Sequence, residues 1–318
     1  MTSPTPPAPA ADVHPYTPTL GSLFGAELLR VRSRRFLRWA VVGLLGVMVL
    51  VAVINFFQTA KPSQTEIDRA LATCQTYSQD PDTGVESVER CETVREAAQQ
   101  GGFDELPGLT SDVPDEVLGV GLGVAVLGFI LGCTLGGADW SQKTMAALLF
   151  WEPRRPRVYL VKLAALLVTL VTILLVAQAV WIAIKTGLVA AHGVADVTAG
   201  SIVDDTLTNI GRSTVLVLAM GGLAYGLASL IRNTGAALGI GFVYFAIVEL
   251  FINGLLPRLA PYTLTVNIGA LFTPGGLREE FGNRVVEVSS LQAGLVLITY
   301  ATVVCAIGLE LFRRRDVT

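Results

Sequence analysis

Six long apolar stretches constrain the fold of this chain more than any other feature. A helix needs about 20 apolar residues to cross the hydrocarbon core of a bilayer. Only 15% of the residues are charged, where soluble domains carry about 25%. We therefore predict an all-α integral membrane protein with six transmembrane helices, and we exclude a soluble globular enzyme. The predicted spans are 39–57, 117–137, 158–184, 210–231, 235–255 and 291–312.

The placement of Lys and Arg predicts the orientation in the membrane. These residues are dense before the first span, between the second and third spans, and in the C-terminal segment 313–318. Basic clusters beside membrane spans are typical of the cytoplasmic side. We therefore expect a multi-pass protein of the plasma (inner) membrane with cytoplasmic N- and C-termini.

The segment before the first span has two parts. Residues 1–19 are rich in Pro, Ala and Thr, which predicts a disordered tail. Residues 20–38 form a basic amphipathic pattern, which predicts a helix lying at the membrane interface. A solvated basic stretch is the alternative. The charged residues of this segment include Glu27, Arg30, Arg34 and Arg38.

The first loop on the outer side, 58–116, is long and acidic. Two helical patterns flank the turn sequence 80–84, which predicts a helical hairpin with Cys74 and Cys91 on facing sides. A disulfide between them can persist outside the cell and would stabilise the hairpin by about 3 kcal/mol. Two free thiols are the alternative.

The loop between the second and third spans, within 136–162, carries a short amphipathic pattern. Met145 and Leu148 share one helical face, and Pro153 and Pro156 end the pattern. A short helix held at the cytoplasmic ends of two spans can bind a soluble partner. An ordinary loop at the lipid headgroups is the alternative.

Few polar side chains fall inside the spans. Glu249 and Asn253 lie in the fifth span, and Gln178 lies in the third. An ionisable residue at such a depth is a functional candidate, so all three are candidates for a translocation path, with Arg212 or Arg258 as possible partners of Glu249. A position near the outer interface for Glu249, and a plain interhelical contact for Gln178, are the alternatives.

The fifth span is followed by an apolar segment that is too short to cross the membrane. Prolines break the chain after 255, and 256–276 has the length of a re-entrant or interfacial piece. The segment either caps an outward exit or skims the membrane surface.

Glycines recur at steps of four in the second span, as Gly128, Gly132 and Gly136. Small residues at this spacing let helix backbones approach closely. Packing within one bundle, a subunit interface and a sliding helix all fit this pattern.

The sequence lacks the motifs of several enzyme classes. It has no phosphate-binding G-x-x-x-x-G-K-[ST] loop, no H-E-x-x-H and no G-x-S-x-G. His14 and His192 lie outside the predicted spans, and no Cys and His residues have metal-site spacing. We therefore predict no catalytic residues, no metal site and no cofactor bound by this chain. The Arg-rich segments sit at span ends without interleaved aromatics, so we predict no nucleic-acid binding.

In order, these parts resemble the transmembrane subunit (permease) of an ABC-2-type ABC transporter. A basic amphipathic segment precedes six spans, and 312–316 closes the last span with Phe-Arg-Arg-Arg-Asp. The inner loop of that family has an acid, a Gly-Thr or similar pair, a Leu pair, an Arg and a Lys that opens the third span. Here Lys143 stands where Gly is usual. The matching residues are Asp139, Thr144, Leu148, Leu149, Arg157 and Lys162.

The resemblance implies a partner set and a mechanism. Two permeases, either two copies or two relatives, would pair in membrane lipid above two cytoplasmic ATPase subunits that bind ATP and Mg. Residues 20–38 would be the elbow helix, and the inner loop would carry the coupling helix that contacts the ATPase. The cargo would be a lipophilic or amphipathic substrate for export. The coupling residues would be Asp139, Trp140, Lys143, Thr144, Met145 and Leu148.

Two other functions remain open on the sequence. A sensor or assembly factor would bind a partner through the outer hairpin and would have no ATPase partner. A secondary transporter would need several ionisable residues in its spans or an internal repeat, and the spans offer little beyond Glu249.

Overall fold

A computed structural model describes residues 19–58, 113–142, 154–192, 199–273, 275–281 and 284–314. Six helices within these ranges are long and apolar enough to cross a membrane, so the chain has the architecture of a multi-pass helical membrane protein. Several predictions fall outside the described residues. They concern the tail before Thr19, the outer hairpin with Cys74 and Cys91, the coupling residues Lys143, Thr144, Met145 and Leu148, and the last four residues.

Nine α-helices and one two-stranded sheet account for most of the described residues. The first two helices are separated by Arg34, and the fifth span is made of α6, a π-helical turn (Tyr244–Val248) and α7. The α-helices are α1 (Leu20–Ser33), α2 (Arg35–Gln58), α3 (Val113–Ser141), α4 (Arg155–His192), α5 (Ala199–Ile231), α6 (Thr234–Val243), α7 (Glu249–Leu255), α8 (Leu264–Phe272) and α9 (Ser290–Arg314). A 3-10 helix (Pro257–Tyr262) precedes α8, and the strands are β1 (Leu277–Phe281) and β2 (Arg284–Val288).

The predicted elbow is shorter than its sequence pattern. The Thr19 side chain accepts a hydrogen bond from the backbone N–H of Ser22, which caps the start of α1. Arg34 is extended, with ψ of 123°, and this residue separates α1 from α2. The elbow helix therefore ends at Ser33, and Arg38 belongs to the first spanning helix.

Helices α3, α4 and α5 form the centre of the bundle. In the most apolar window of α5, 61% of the residues are buried, against 17% in that of α2. Close glycine contacts join α3 to α5: a Cβ on Gly132 would lie 2.5 Å from the carbonyl oxygen of Gly221, and one on Gly136 would lie 2.6 Å from that of Tyr225. Packing within the bundle is thus confirmed for these two glycines.

The segment after the fifth span contains, among its described residues, no helix long enough to cross the membrane. Its helix α8 has nine residues, a length of about 14 Å, which is less than half of the hydrocarbon thickness. This agrees with the predicted short piece at 256–276. Helix α8 packs against α9.

A small antiparallel hairpin follows α8, and the sequence prediction did not include it. Strands β1 and β2 pair from Leu277 opposite Val288 to Phe281 opposite Arg284. Gly276 enters the hairpin with φ of 112°, and a Cβ there would clash with the carbonyl oxygen of Val288, so the turn requires glycine. The described fold is otherwise helical.

Candidate functional site

Three charged side chains meet where α3 ends and α4 begins. Asp139 accepts a hydrogen bond from Lys162, and its other carboxylate oxygen lies 3.9 Å from the guanidinium of Arg34. The Lys162 side chain is 5% exposed, and Asp139 is also buried. Buried charges persist only when they are paired. One carboxylate therefore joins α3 to α4 and to the residue that links α1 and α2.

Aromatic contacts extend this group to two further helices. The guanidinium of Arg232, in the turn after α5, lies 4.3 Å from the centre of the Trp140 ring. Trp140 packs edge-on against Phe312 of α9, with 5.8 Å between ring centroids. The ends of α3, α4, α5 and α9 thus meet in one place. We call this group the Asp139 cluster, and its members are Arg34, Asp139, Trp140, Lys162, Arg232 and Phe312.

Two buried tyrosines support the cluster from within the bundle. Tyr225 of α5 donates a hydrogen bond to the carbonyl oxygen of Tyr159 at 3.1 Å, and Tyr159 donates to that of Cys305 at 3.1 Å. Ser229 donates to the carbonyl oxygen of Tyr225 at 2.7 Å. These bonds connect α5, α4 and α9 directly below the charged group.

The predicted elbow residues have different surroundings. Glu27 is buried and pairs with Arg30 at 2.7 Å, while α1 packs on α4. Arg34 is the elbow residue that reaches the Asp139 cluster. Arg38 donates to the carbonyl oxygen of Ser33 at 3.2 Å, which ties the start of α2 to the end of α1.

Two of the predicted coupling residues, Asp139 and Trp140, lie in the Asp139 cluster. The other four are in the connection 143–153, outside the described residues. Asp139 and Lys162 hold together the two helix ends that this connection joins.

A second polar group lies at the other end of the same three helices. Lys185 is 23 residues beyond Lys162 on α4, about 34 Å along the helix. Its ammonium lies 2.6 Å from one carboxylate oxygen of Glu116 on α3, and the indole N–H of Trp181 donates to the other oxygen at 3.2 Å. Lys185 also lies 5.8 Å from the centre of the Trp181 ring. Both oxygens of Glu116 are therefore engaged.

Several buried polar atoms on α4 and α5 have no partner among the described residues. Gln178 is 1% exposed, and among the described residues neither its amide nitrogen nor its amide oxygen is hydrogen-bonded. The hydroxyls of Ser213 and Thr206 on α5 are also buried and unpartnered in this part of the structure. We call these residues the Lys185 cluster: Glu116, Gln178, Trp181, Lys185, Thr206 and Ser213.

Contacts at the middle of the core place Gln178 and Ser213 at the same level. Leu170 of α4 meets both Gly128 of α3 and Gly221 of α5. Gln178 is eight residues beyond Leu170, and Ser213 is eight residues before Gly221, so both lie about 12 Å along the antiparallel helices in the same direction. Spacings of seven or eight residues keep a side chain near the same helix face. Both residues therefore lie on the faces that meet at the junction of α3, α4 and α5.

Glu249 has a structural environment that the sequence did not indicate. Its carboxylate accepts hydrogen bonds from the backbone N–H groups of Leu264 at 2.6 Å and Thr265 at 3.0 Å, and from the Thr265 hydroxyl. A carboxylate at this place satisfies the free N–H groups at the start of α8 and interacts well with the helix dipole. Asn253 accepts from the hydroxyl of Thr263 at 3.4 Å.

These contacts replace the arginine partners considered for Glu249. The residue is 2% exposed, so a solvated position at the interface is wrong. Arg212 instead donates to the side-chain oxygen of Asn209 at 3.3 Å. Glu249 and Asn253 join the fifth span to the start of α8, and a role in a translocation path stays a hypothesis.

The sequence offered weak signals for the residues it missed. Glu116 and Lys185 were assigned to outer loops because the apolar pattern stops before them, yet both lie in helices. In the sequence Arg232 is simply a basic residue between the fourth and fifth predicted spans, and Phe312 ends the sixth. Their meeting with Trp140 depends on which helix ends are neighbours.

The fold and the two clusters define a multi-pass helical membrane protein with a three-helix core that carries charged residues at both ends. Residues 122–318 match the family described as a protein of unknown function, DUF2705. The match covers more than half of the chain, so the chain belongs to this family. No curated protein matches it. The matched residues include Asp139, Lys162 and Gln178, whereas Arg34 precedes them.

Proposed function

We propose that this chain is the permease subunit of an ATP-binding cassette transporter of the ABC-2 type, driven by a separate cytoplasmic ATPase. The observation that carries the proposal is the position of Asp139, which contacts both Arg34 after the elbow helix and Lys162 at the start of α4. The two elements that the resemblance assigns to ATPase contact, the elbow and the inner loop, are thereby joined at one end of the bundle.

The arrangement of the helix ends supports a mechanical link. A force on the connection 143–153 acts on the ends of α3 and α4, which Asp139 and Lys162 hold together. Trp140, next to Asp139, would transmit this force to α9 through its contact with Phe312. It would also transmit the force to the turn after α5 through its contact with Arg232. A partner that moves this connection would therefore shift the core as a unit.

Charge supports a cytoplasmic position for this end. Arg154, Arg155 and Arg157 open α4, and Arg313 and Arg314 close α9. Arg313 lines one open pocket with the three arginines of α4, so the basic residues from both helices lie together. By the positive-inside rule this end faces the cytoplasm of the plasma (inner) membrane, with both termini on the same side. The substrate class and export remain as the resemblance implies.

The first experiment is purification of the tagged chain from its native host in mild detergent. Before purification, ATP is trapped in any ATPase that is bound, and the complex is gently crosslinked. A stoichiometric cytoplasmic ATPase is the expected result. If no ATPase accompanies the chain, the transporter proposal is wrong, and an assembly or sensor role through the outer segment 58–116 becomes the working hypothesis.

Variants of Trp140 test the link in the purified complex. Trp140→Ala removes the ring between Arg232 and Phe312 and is expected to lower substrate-stimulated ATPase activity several-fold, while Trp140→Phe keeps the packing and most of the activity. Trp39→Ala is the matched control, because the Trp39 side chain is 73% exposed. All variants should insert into the membrane at the wild-type level. Full coupling in Trp140→Ala would remove Trp140 from the mechanism.

A further inference from the structure

Four arginines from two helix ends line one open pocket at the end of the bundle that carries the Asp139 cluster. Three of them lie at the start of α4, and the fourth lies at the end of α9. The pocket has a volume of about 500 Å³, within the range of about 300–1,000 Å³ that is usual for ligand sites. We call it the arginine pocket, and its lining residues are Arg154, Arg155, Pro156, Arg157 and Arg313.

An aromatic contact beside the arginine pocket fixes the two helix ends relative to each other. Tyr159, two residues after Arg157, packs against Phe312, the residue before Arg313, with 5.9 Å between the ring centroids. The Tyr159 hydroxyl also donates a hydrogen bond to the carbonyl oxygen of Cys305 on α9 at 3.1 Å. The backbone that carries the arginines is therefore in place before a ligand binds, which lowers the entropic cost of binding.

The charge around the arginine pocket is strongly positive. The two helix ends, residues 154–161 and 308–314, contain five arginines and one acid, Glu310. The Glu310 carboxylate pairs with Arg314 and lies 3.7 Å from Arg313. One carboxylate is thus set against five guanidinium groups.

The neighbouring charges do not reverse this balance. Glu152, Arg315 and Asp316 flank the two helix ends in the sequence, and with them the net charge is still +3. The start of α4 and the end of α9 contribute helix dipoles of opposite sign, so the arginine side chains decide the sign of the local field. Guanidinium groups bind phosphate oxygens in bidentate geometry, and a phosphate group is therefore the ligand that best complements the pocket.

The arginine pocket lies beside the lipid-facing surface of the bundle. Leu160 on α4 is 50% exposed and Ile307 on α9 is 48% exposed, and both belong to helices long enough to span the membrane. Leu160 follows Arg157 by three residues, about 4.5 Å along the helix, and Ile307 precedes Arg313 by six residues, about 9 Å. The arginines thus begin where the exposed apolar surface ends, which is the depth of the phospholipid headgroups.

We propose that the arginine pocket binds the phosphate-bearing headgroup of an anionic phospholipid, whose acyl chains lie against the apolar surfaces of α4 and α9. Basic pockets between spanning helices bind anionic headgroups in other membrane proteins. A zwitterionic phospholipid should bind more weakly, because its own amine offsets the phosphate charge. This site needs no ATPase partner and stands independently of the transporter proposal.

The test is native mass spectrometry of the full chain, purified in neutral detergent and freed of lipid. Phosphatidylglycerol and phosphatidylcholine with identical acyl chains are titrated separately at constant ionic strength, and the fraction of protein with one bound lipid gives Kd. Saturable binding of phosphatidylglycerol is expected, with a Kd severalfold lower than that of phosphatidylcholine.

A double variant, Arg154→Gln with Arg313→Gln, removes one guanidinium group from each helix end. Both side chains are exposed, so the variant should fold. We expect its Kd for phosphatidylglycerol to rise about tenfold or more, because charge-assisted hydrogen bonds to the phosphate are lost.

The matched control is the double variant Arg32→Gln with Arg35→Gln, which removes the same charge from two exposed arginines outside the pocket. These residues lie at the same end of the bundle, because Arg34 between them contacts Asp139. The control should bind phosphatidylglycerol as the wild type does.

Three results would overturn the proposal. The first is an equal Kd for the two lipids. The second is an equal loss of affinity in the two double variants, which would assign binding to the total charge and not to the pocket. The third is displacement of bound phosphatidylglycerol by an equal concentration of inorganic phosphate, which would make a soluble anion the ligand. None of these results depends on whether an ATPase accompanies the chain.

Discussion

The two ends of the three-helix core carry the same kind of ion pair in different surroundings. At one end Asp139 is paired with Lys162, and the neighbouring Ser229 hydroxyl has its acceptor. At the other end Lys185 is paired with Glu116, but Gln178 and Ser213 are buried without partners in the described structure. At the first end every charged group is paired and the helix ends are held together, although the Thr234 hydroxyl beside Gly137 has no partner in the described structure. At the second end the ion pair is accompanied by several buried polar atoms that have no partner among the described residues.

The difference shows that two similar ion pairs can contribute differently to stability. A satisfied polar network fixes one arrangement of the helices, whereas each buried polar group without a partner costs free energy. Three sets of substitutions test this distinction and one, at Gly132, tests the helix packing between the two ends; the effect of the first should be the largest.

Asp139→Ala should lower the free energy of unfolding by about 3–5 kcal/mol, because it leaves the buried ammonium of Lys162 without its carboxylate. Reversible unfolding in mixed micelles measures the change. Asp139→Ala combined with Lys162→Met should restore much of the loss. Glu310→Ala, which removes an exposed carboxylate near Arg313 and Arg314, should have a far smaller effect. Equal losses in Asp139→Ala and Glu310→Ala would contradict the satisfied network.

Gly132→Ala should destabilise the protein by about 1–3 kcal/mol, because the new Cβ would lie 2.5 Å from the carbonyl oxygen of Gly221 and force α3 from α5. The same unfolding measurement applies. Gly239→Ala is the matched control, since no atom lies within 4 Å of a Cβ at that position. Ala has the higher helix propensity, so Gly239→Ala should be neutral or slightly stabilising. An equal loss of stability in both variants would show that the contact between α3 and α5 does not set the effect.

Lys185→Met should lower the free energy of unfolding by about 1–2 kcal/mol, which is less than the loss expected for Asp139→Ala. The Glu116 side chain that it leaves behind is 22% exposed and keeps the hydrogen bond from Trp181 at 3.2 Å. The comparison variant is Lys162→Met, which leaves the buried Asp139 and should lose more. If Lys185→Met and Lys162→Met lower the free energy of unfolding equally, the two ion pairs do not differ in how much they stabilise the protein.

Ser229→Ala and Ser213→Ala give the smallest and sharpest contrast, because both hydroxyls are buried on α5. Ser229→Ala removes a bond of 2.7 Å to the carbonyl oxygen of Tyr225 and should cost about 1 kcal/mol. Ser213→Ala removes a hydroxyl that has no partner in the described structure and should be neutral or slightly stabilising. A lower Tm for Ser213→Ala than for Ser229→Ala would show that the Ser213 hydroxyl is not an unpartnered group, and the two ends would then not differ.

The sequence predicted which segments are helical better than it predicted the residues at which the helices begin and end. The apolar stretches identified all six spans, but α4 continues to His192 and α5 begins at Ala199 because polar residues there are still helical. Lys185, Thr206 and Asn209 in these extensions are buried against the bundle, so the helices do not end where their apolar runs end. The hairpin of β1 and β2 was missed because Arg278 to Val288 reads as a polar loop, and its pairing depends on the turn at Gly276.

Part of the candidate site could be predicted and part could not. Asp139, Lys162 and Gln178 stand out in the sequence, because charged and polar residues are rare beside or within apolar runs. The contacts they and their neighbours make could not be predicted, because the partners are distant in the chain: Lys162 is 23 residues from Asp139, and Trp181 is 65 residues from Glu116. Local periodicity contains no information on such pairs.

By itself the sequence determined that the chain is a helical membrane protein, since apolar length and low charge leave few other solutions for the backbone in lipid. It also fixed where the basic residues lie relative to the spans. Only the tertiary structure decided that Glu249 caps α8, that Asp139 joins Arg34 to Lys162, and that Gln178 is buried without a partner. The physical reason is that hydrogen bonding and ion pairing depend on which helix faces meet, and that choice is made by packing in three dimensions.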